Sequence, residues 1–187
     1  MYFISNVNEK YPTHASAILH AISEGCRMVQ LRMKEASTAE RVAVATEVLP
    51  AVEAAGAVLI IDDDAEAVRQ SGAHGLHVGR NDMPVAEARR LLPGKIVGAT
   101  ANSAADIIAA ARNGADYAGL GPYRFTTTKK NLSPLLGLEG VRDAIAGARA
   151  AGVDIQVYAI GGILPDDIPA IIAAGAADVA LSGALMK

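Results

Sequence analysis

The sequence predicts a (β/α)8 barrel, a closed parallel sheet ringed by helices, and three observations carry that prediction. Eight short apolar runs recur along the chain. Stretches with helical periodicity separate them, and a helix-ending glycine stands just ahead of several of the runs. Read as strands, the runs cover residues 2–5, 28–31, 58–61, 75–78, 96–100, 117–120, 155–160 and 179–181. Each is too uniformly apolar for a sheet with one wet face, so both faces must be covered. An open doubly wound sheet is the alternative arrangement.

In order, the first run leads to a helix whose Ala17, Ile18, Ala21 and Ile22 share a face, closed by Ser23, Glu24 and Gly25. The run from Met28 leads to a helix with Val42, Ala45, Val48 and Leu49 at the same spacing. Gly72 ends the third helix ahead of run 75–78, and Gly114 ends the fifth ahead of run 117–120. After the sixth run lies an aperiodic stretch, 122–136. Ile168, Ile171 and Ile172 mark the seventh helix, and Gly175 precedes the last run. Lys187 follows that run so closely that no eighth helix fits, which makes a compact barrel lacking its last helix. Self-association, or residues 6–13, would cover the flank.

The 187 residues are read as one domain, 1–187, and 51% hydrophobic residues supply a substantial core. Twenty acidic and 17 basic residues leave a net charge of −3, which excludes a basic field for nucleic acid. No apolar run approaches the ~20 residues of a membrane span, and the N-terminus lacks the basic region of a signal peptide. A cytoplasmic enzyme or binding protein is expected. Cys26, the single cysteine, is read as a buried thiol without a role.

Alternation along the strand from Met28 places Gln30, Arg32 and Lys34 on one face and Val29, Leu31 and Met33 on the other. An amide and two cations suit an anion; a solvated edge strand would look the same. In a barrel the site forms at the carboxyl ends of the strands, where further polar residues collect. The third strand ends at Asp62, Asp63 and Asp64, and the fourth carries His77 with Asp82 beyond it. The fifth adds Thr100 and Asn102. The loop after the sixth holds Thr126, Thr127, Thr128, Lys129 and Lys130. Gly161 and Gly162 follow the seventh, Ser182 and Gly183 the eighth.

Hydroxyls, cations and glycines together point to phosphate. Carboxylates beside cations point to Mg²⁺, with Asp63 and Asp82 as ligands. One of the three consecutive acids is also expected to cap the third helix. His77 is read as turning its ring into the barrel, as a core histidine or a ligand contact. His14, His20 and His74 are read as structural.

These motifs occur in the order seen in thiamine-phosphate synthases, and the chain resembles that family over its whole length. The resemblance is carried by Gln30-Leu31-Arg32-Met33-Lys34, His77-Val78-Gly79 with Asp82, and Gly121-Pro122 followed by Thr126-Thr127-Thr128-Lys129. Leu136-Gly137-Leu138-Glu139-Gly140 and Ile160-Gly161-Gly162-Ile163 complete it. It implies a barrel enzyme that couples hydroxymethylpyrimidine diphosphate to hydroxyethylthiazole phosphate, through a carbocation-like pyrimidine, giving thiamine monophosphate and pyrophosphate. By position, Arg32, Lys34 and Lys129 would grip pyrophosphate with Mg²⁺ on Asp63 and Asp82, and Thr100 would supply a hydroxyl where the family has serine. Gln30 and His77 would line the pyrimidine pocket. Thr126, Thr128, Gly162, Ser182 and Gly183 would cradle the thiazole phosphate. The partners implied are small phosphorylated substrates, with neither nucleic acid nor membrane.

Asp62 departs from the family's usual asparagine and is expected to compete with pyrophosphate for Arg32 and Lys34. Arg80, Phe125 and Leu164 also depart, standing for glutamine, proline and a capping residue. Two other readings remain open. One is a thiazole tautomerase, whose catalytic histidine would stand at Asn102; the other is a paralogue that binds thiazole phosphate or thiamine phosphate without turnover.

Overall fold

The computed structural model describes residues 1–125 and 134–186. The strands are β1 (Tyr2–Ile4), β2 (Met28–Leu31), β3 (Val58–Asp62), β4 (Gly75–Val78), β5 (Ile96–Ala101), β6 (Tyr117–Leu120), β7 (Gln156–Ile160) and β8 (Asp178–Leu181). All pair in parallel in chain order, and β8 pairs with β1, closing the barrel. Around it run α1 (His14–Ser23), α2 (Thr38–Ala54), α3 (Ala65–Ser71), α4 (Val85–Leu91), α5 (Ala104–Arg112), α6 (Gly137–Ala150) and α7 (Ile168–Ala173).

Each predicted strand is present with its ends moved by a residue at most. After β8 the described residues form a 3-10 turn at Gly183–Met186. Leu185 of that turn packs against both large apolar clusters. Of the segment 6–13, Tyr11 packs inward and residues 6–10 are exposed.

Alternation sorts the side chains into two layers. Phe3, Val29, Leu31, Leu59 and Ile61 face outward to the helices, while Tyr2, Ile4, Tyr117 and Ala180 fill the interior with Tyr158 against them. Gly98 makes the interior fit, because a Cβ there would lie 2.0 Å from the Tyr117 ring.

Helix starts follow local chemistry. Thr13 and Ser37 open α1 and α2 as capping boxes with Ser16 and Glu40, and Ser103 caps α5. Pro50 lies inside α2, an interruption costing ~3 kcal/mol. Burial of Val48 and Val52, at about 1.5–3 kcal/mol each, more than offsets it. The helix therefore runs through.

Candidate functional site

A cavity of about 490 Å³ opens at the carboxyl ends of the strands. It brings together Gln30, Arg32, Lys34, Asp62, His77, Thr100, Gly162, Ser182 and Gly183, as expected from their strand-end positions. Thr126, Thr127, Thr128, Lys129 and Lys130 lie outside the described residues.

One wall, from β2 to β4, is charged. β2 ends at Leu31, short of the alternation read through Lys34, because the Arg32 N–H leaves the ladder and donates to Ser5 Oγ at 3.0 Å. Ser5 Oγ in turn lies 2.8 Å from His14 Nδ1. Burial, then the Arg32 charge, hold the His14 pKa below its ordinary value, which favours the neutral ring beside Ser5. Arg32 and Lys34 still reach the cavity.

There they meet Asp62, whose Oδ2 lies 2.9 Å from Lys34 Nζ and 3.6 Å from Arg32 Nε. Lys34 also binds Asp63. Burial works against the Lys34 charge, but Asp62 and Asp63 outweigh it and raise its pKa. Asp62 thus engages both cations at the end of β2.

The three consecutive acids have separate surroundings. Asp64 caps α3, accepting from Ala67 N–H at 2.9 Å, and takes Thr38 Oγ1 and Arg41 Nη1 on its other oxygen. These contacts overcome its burial and lower its pKa. Asp63 sits at φ 65°, a left-handed conformation favoured for Gly, Asn and Asp. It lines a second cavity of about 450 Å³ rather than the main one, and its buried Oδ1 has no protein partner.

Asp82, which accepts Gly79 N–H at 2.8 Å, faces Asp63. Its pKa is raised first by the hydrogen bond with Asp63, then by burial. Two carboxylates crowded together, one with an unanswered buried oxygen, suit a hard cation between them. Among the described residues no three His, Cys, Asp or Glu side chains converge as a metal site. Mg²⁺ commonly takes only one or two carboxylates, with phosphate oxygens and water completing its shell.

The opposite wall, from β6 to β8, is nearly neutral. Gly161 and Gly162 have φ of 98° and 66°. A Cβ on Gly162 would fall 2.7 Å from the Phe125 carbonyl oxygen, so only glycine lets this turn pack against the loop after β6. Arg124 fastens the two, donating to the Gly162 carbonyl at 2.8 Å and to both oxygens of Asp167 at 2.8 and 2.9 Å. Asp167 also accepts Leu164 N–H, replacing the absent capping hydroxyl at Leu164. Ser182 Oγ is buried with no protein partner.

A hydrogen-bonded chain forms the floor. Gln30 Nε2 donates to Tyr2 Oη at 2.9 Å, Tyr2 Oη lies 2.9 Å from Tyr117 Oη, and Tyr117 Oη lies 3.0 Å from His77 Nδ1. His77 Nε2 stands 3.1 Å from Thr100 Oγ1. Burial pushes both phenols above their ordinary pKa, so both stay protonated and each has a hydrogen to donate within the chain. His77 thus joins Tyr117 at Nδ1 to Thr100 at Nε2, linking the buried floor to a hydroxyl that lines the cavity.

Tyr2, Tyr117, Arg124 and Asp167 were not among the expected site residues. The usable signal was strand parity, which turns both tyrosines inward; the Arg124–Asp167 pair joins distant segments and left no local mark. Asn102 holds its loop, donating to the carbonyls of Gly121 and Pro134 at 2.8 and 3.1 Å. Among the described residues no helix is long and apolar enough to cross a membrane.

Residues 1–185 match the family described as thiamine monophosphate synthase. A thiamine-phosphate synthase of Bacteroides fragilis is 47% identical over 188 residues, covering 100% of this chain and 92% of that protein. One of Bacteroides thetaiotaomicron is 44% identical, covering 100% and 90%. The solved thiamine phosphate pyrophosphorylase from Pyrococcus furiosus superposes with a TM-score of 0.86 at 28% identity, covering 99% of this chain and 86% of that one.

Proposed function

Because this chain belongs to the thiamine monophosphate synthase family, its activity is thiamine-phosphate synthesis, and we propose how its own residues perform it. Hydroxymethylpyrimidine diphosphate and hydroxyethylthiazole phosphate enter the 490 Å³ cavity and leave as thiamine monophosphate and pyrophosphate. The observation that carries this reading is the pairing of a charged wall, bearing Arg32 and Lys34, with a glycine and hydroxyl wall across one cavity. The first suits a leaving diphosphate, the second a monophosphate that stays bound.

Arg32 and Lys34, with Lys129, hold the leaving group and stabilise the charge that grows on it as the C–O bond breaks. Gln30 and the His77–Thr100 end of the floor chain orient the pyrimidine. Gly162, Ser182 and Gly183, with Thr126 and Thr128, hold the thiazole phosphate so that the thiazole nitrogen faces the pyrimidine methylene carbon. The substrate nitrogen is the nucleophile, so positioning and electrostatics are what the protein supplies. Asp63 and Asp82 would hold Mg²⁺, which when bound neutralises diphosphate charge. Asn102 is engaged with two loop carbonyls, which disfavours a tautomerase reading.

Incubating the protein with both substrates and Mg²⁺ should yield thiamine monophosphate and pyrophosphate in equal amounts. Absence of product at every Mg²⁺ concentration would refute the proposal.

A further inference from the structure

Asp62 poses a problem that the reaction by itself does not solve. It is 6% exposed at the end of β3, directly opposite His77 in the strand register, and it lines the main cavity. Its Oδ2 accepts no well-directed hydrogen bond from the protein, yet both cations of the β2 end are drawn to it. A buried carboxylate in such a place needs a cation, and Arg32 and Lys34 are the ones it has.

The local charge balance sharpens the point. Among the described residues, Arg32 and Lys34 face three carboxylates, Asp62, Asp63 and Asp82. The nearby arginines are committed elsewhere: Arg41 to Asp64, Arg80 to Asp106 and Arg124 to Asp167. A diphosphate arriving alone meets, among the described residues, a corner with no surplus positive charge and must also pull Lys34 and Arg32 away from Asp62. A divalent cation arriving with it and held by Asp63 and Asp82 would offset those two carboxylates and free Lys34 from Asp63, leaving Asp62 alone against two side-chain cations and a diphosphate.

We propose that Asp62 makes diphosphate binding conditional on a divalent cation, by occupying Lys34 and Arg32 whenever the cation is absent. The inference rests on the synthase reading of the site. Its consequence is that free diphosphate anions are rejected and only the metal complex is accepted.

The test is calorimetric titration of inorganic pyrophosphate into the full chain, once in EDTA and once with Mg²⁺ in excess of the pyrophosphate, for the wild type and for Asp62→Asn. The amide is nearly isosteric with the carboxylate, and circular dichroism checks the fold. The wild type should bind pyrophosphate with Mg²⁺ and at least about tenfold more weakly in EDTA. Asp62→Asn should bind in EDTA about tenfold more tightly than the wild type, narrowing the gap between the two conditions. Equal wild-type affinity in both buffers would overturn the inference without recourse to the variant, as would an unchanged gap in Asp62→Asn. If neither protein binds pyrophosphate even with Mg²⁺, the synthase reading falls and this inference with it.

Discussion

The β2–β4 wall and the β6–β8 wall of the cavity face the same substrates with opposite chemistry. The first crowds Arg32, Lys34, Asp62 and Asp63 into ion pairs that cost desolvation and are repaid by one another, with Asp82 against Asp63. The second has almost no free charge at its lining; its polar offer is a left-handed glycine turn and an unanswered serine hydroxyl. A group that must leave carrying several charges is best met by mobile cations and a metal. A group that stays bound can be met by fixed neutral donors, whose strength does not depend on salt.

Substitutions on the two walls should therefore separate the substrates. Arg32→Ala is expected to have the largest effect, lowering kcat/KM for the pyrimidine diphosphate by about 100- to 1,000-fold in steady-state assays. The KM for thiazole phosphate should stay near its original value. A comparable rise in both KM values would erase the division between the walls. Gly162→Ala comes next, since its Cβ would collide with the Phe125 carbonyl and strain a φ of 66°. It should raise the KM for thiazole phosphate about tenfold and lower stability by about 1–2 kcal/mol in urea unfolding.

Ser182→Ala removes one neutral donor and should raise the same KM by about 3- to 10-fold, with no loss of stability, because that hydroxyl has no protein partner to orphan. The smallest effect concerns pH. The folded Asp82 pKa is raised by Asp63, so its protonated form favours folding. That contribution is complete below the ordinary carboxylate pKa and is lost as pH rises through the raised value. In EDTA, melting of the wild type relative to Asp82→Asn should fall by about 1–2 °C across that window. Mg²⁺ should cancel the fall; a difference that rises with pH would mean Asp82 is stabilised as a carboxylate without metal.

The acids at the end of β3 show how far the sequence could be read. Their presence at a strand end marked a site and an impending helix cap, and one of them, Asp64, is the cap. Which acid took which role depended on contacts from elsewhere: Thr38 and Arg41 claim Asp64, Lys34 draws on Asp62 and Asp63, and Asp82 faces Asp63. The glycine pair was legible as a turn or an anion cradle. The collision that makes glycine obligatory at 162 involves the loop after β6, nearly 40 residues away in the chain.

By itself the sequence determined the eight strands and the polar residues at their carboxyl ends, because apolar runs and helical spacing are local, while an open sheet stayed an alternative until β8 paired with β1. Tertiary structure decided the hydrogen-bonded chain that joins Gln30 through Tyr2 and Tyr117 to His77, the division of the mouth into charged and neutral walls, and the hold of Asp62 on both cations. Each of these depends on distances between strands, and spacing along a chain carries no information about which charge a buried carboxylate will meet.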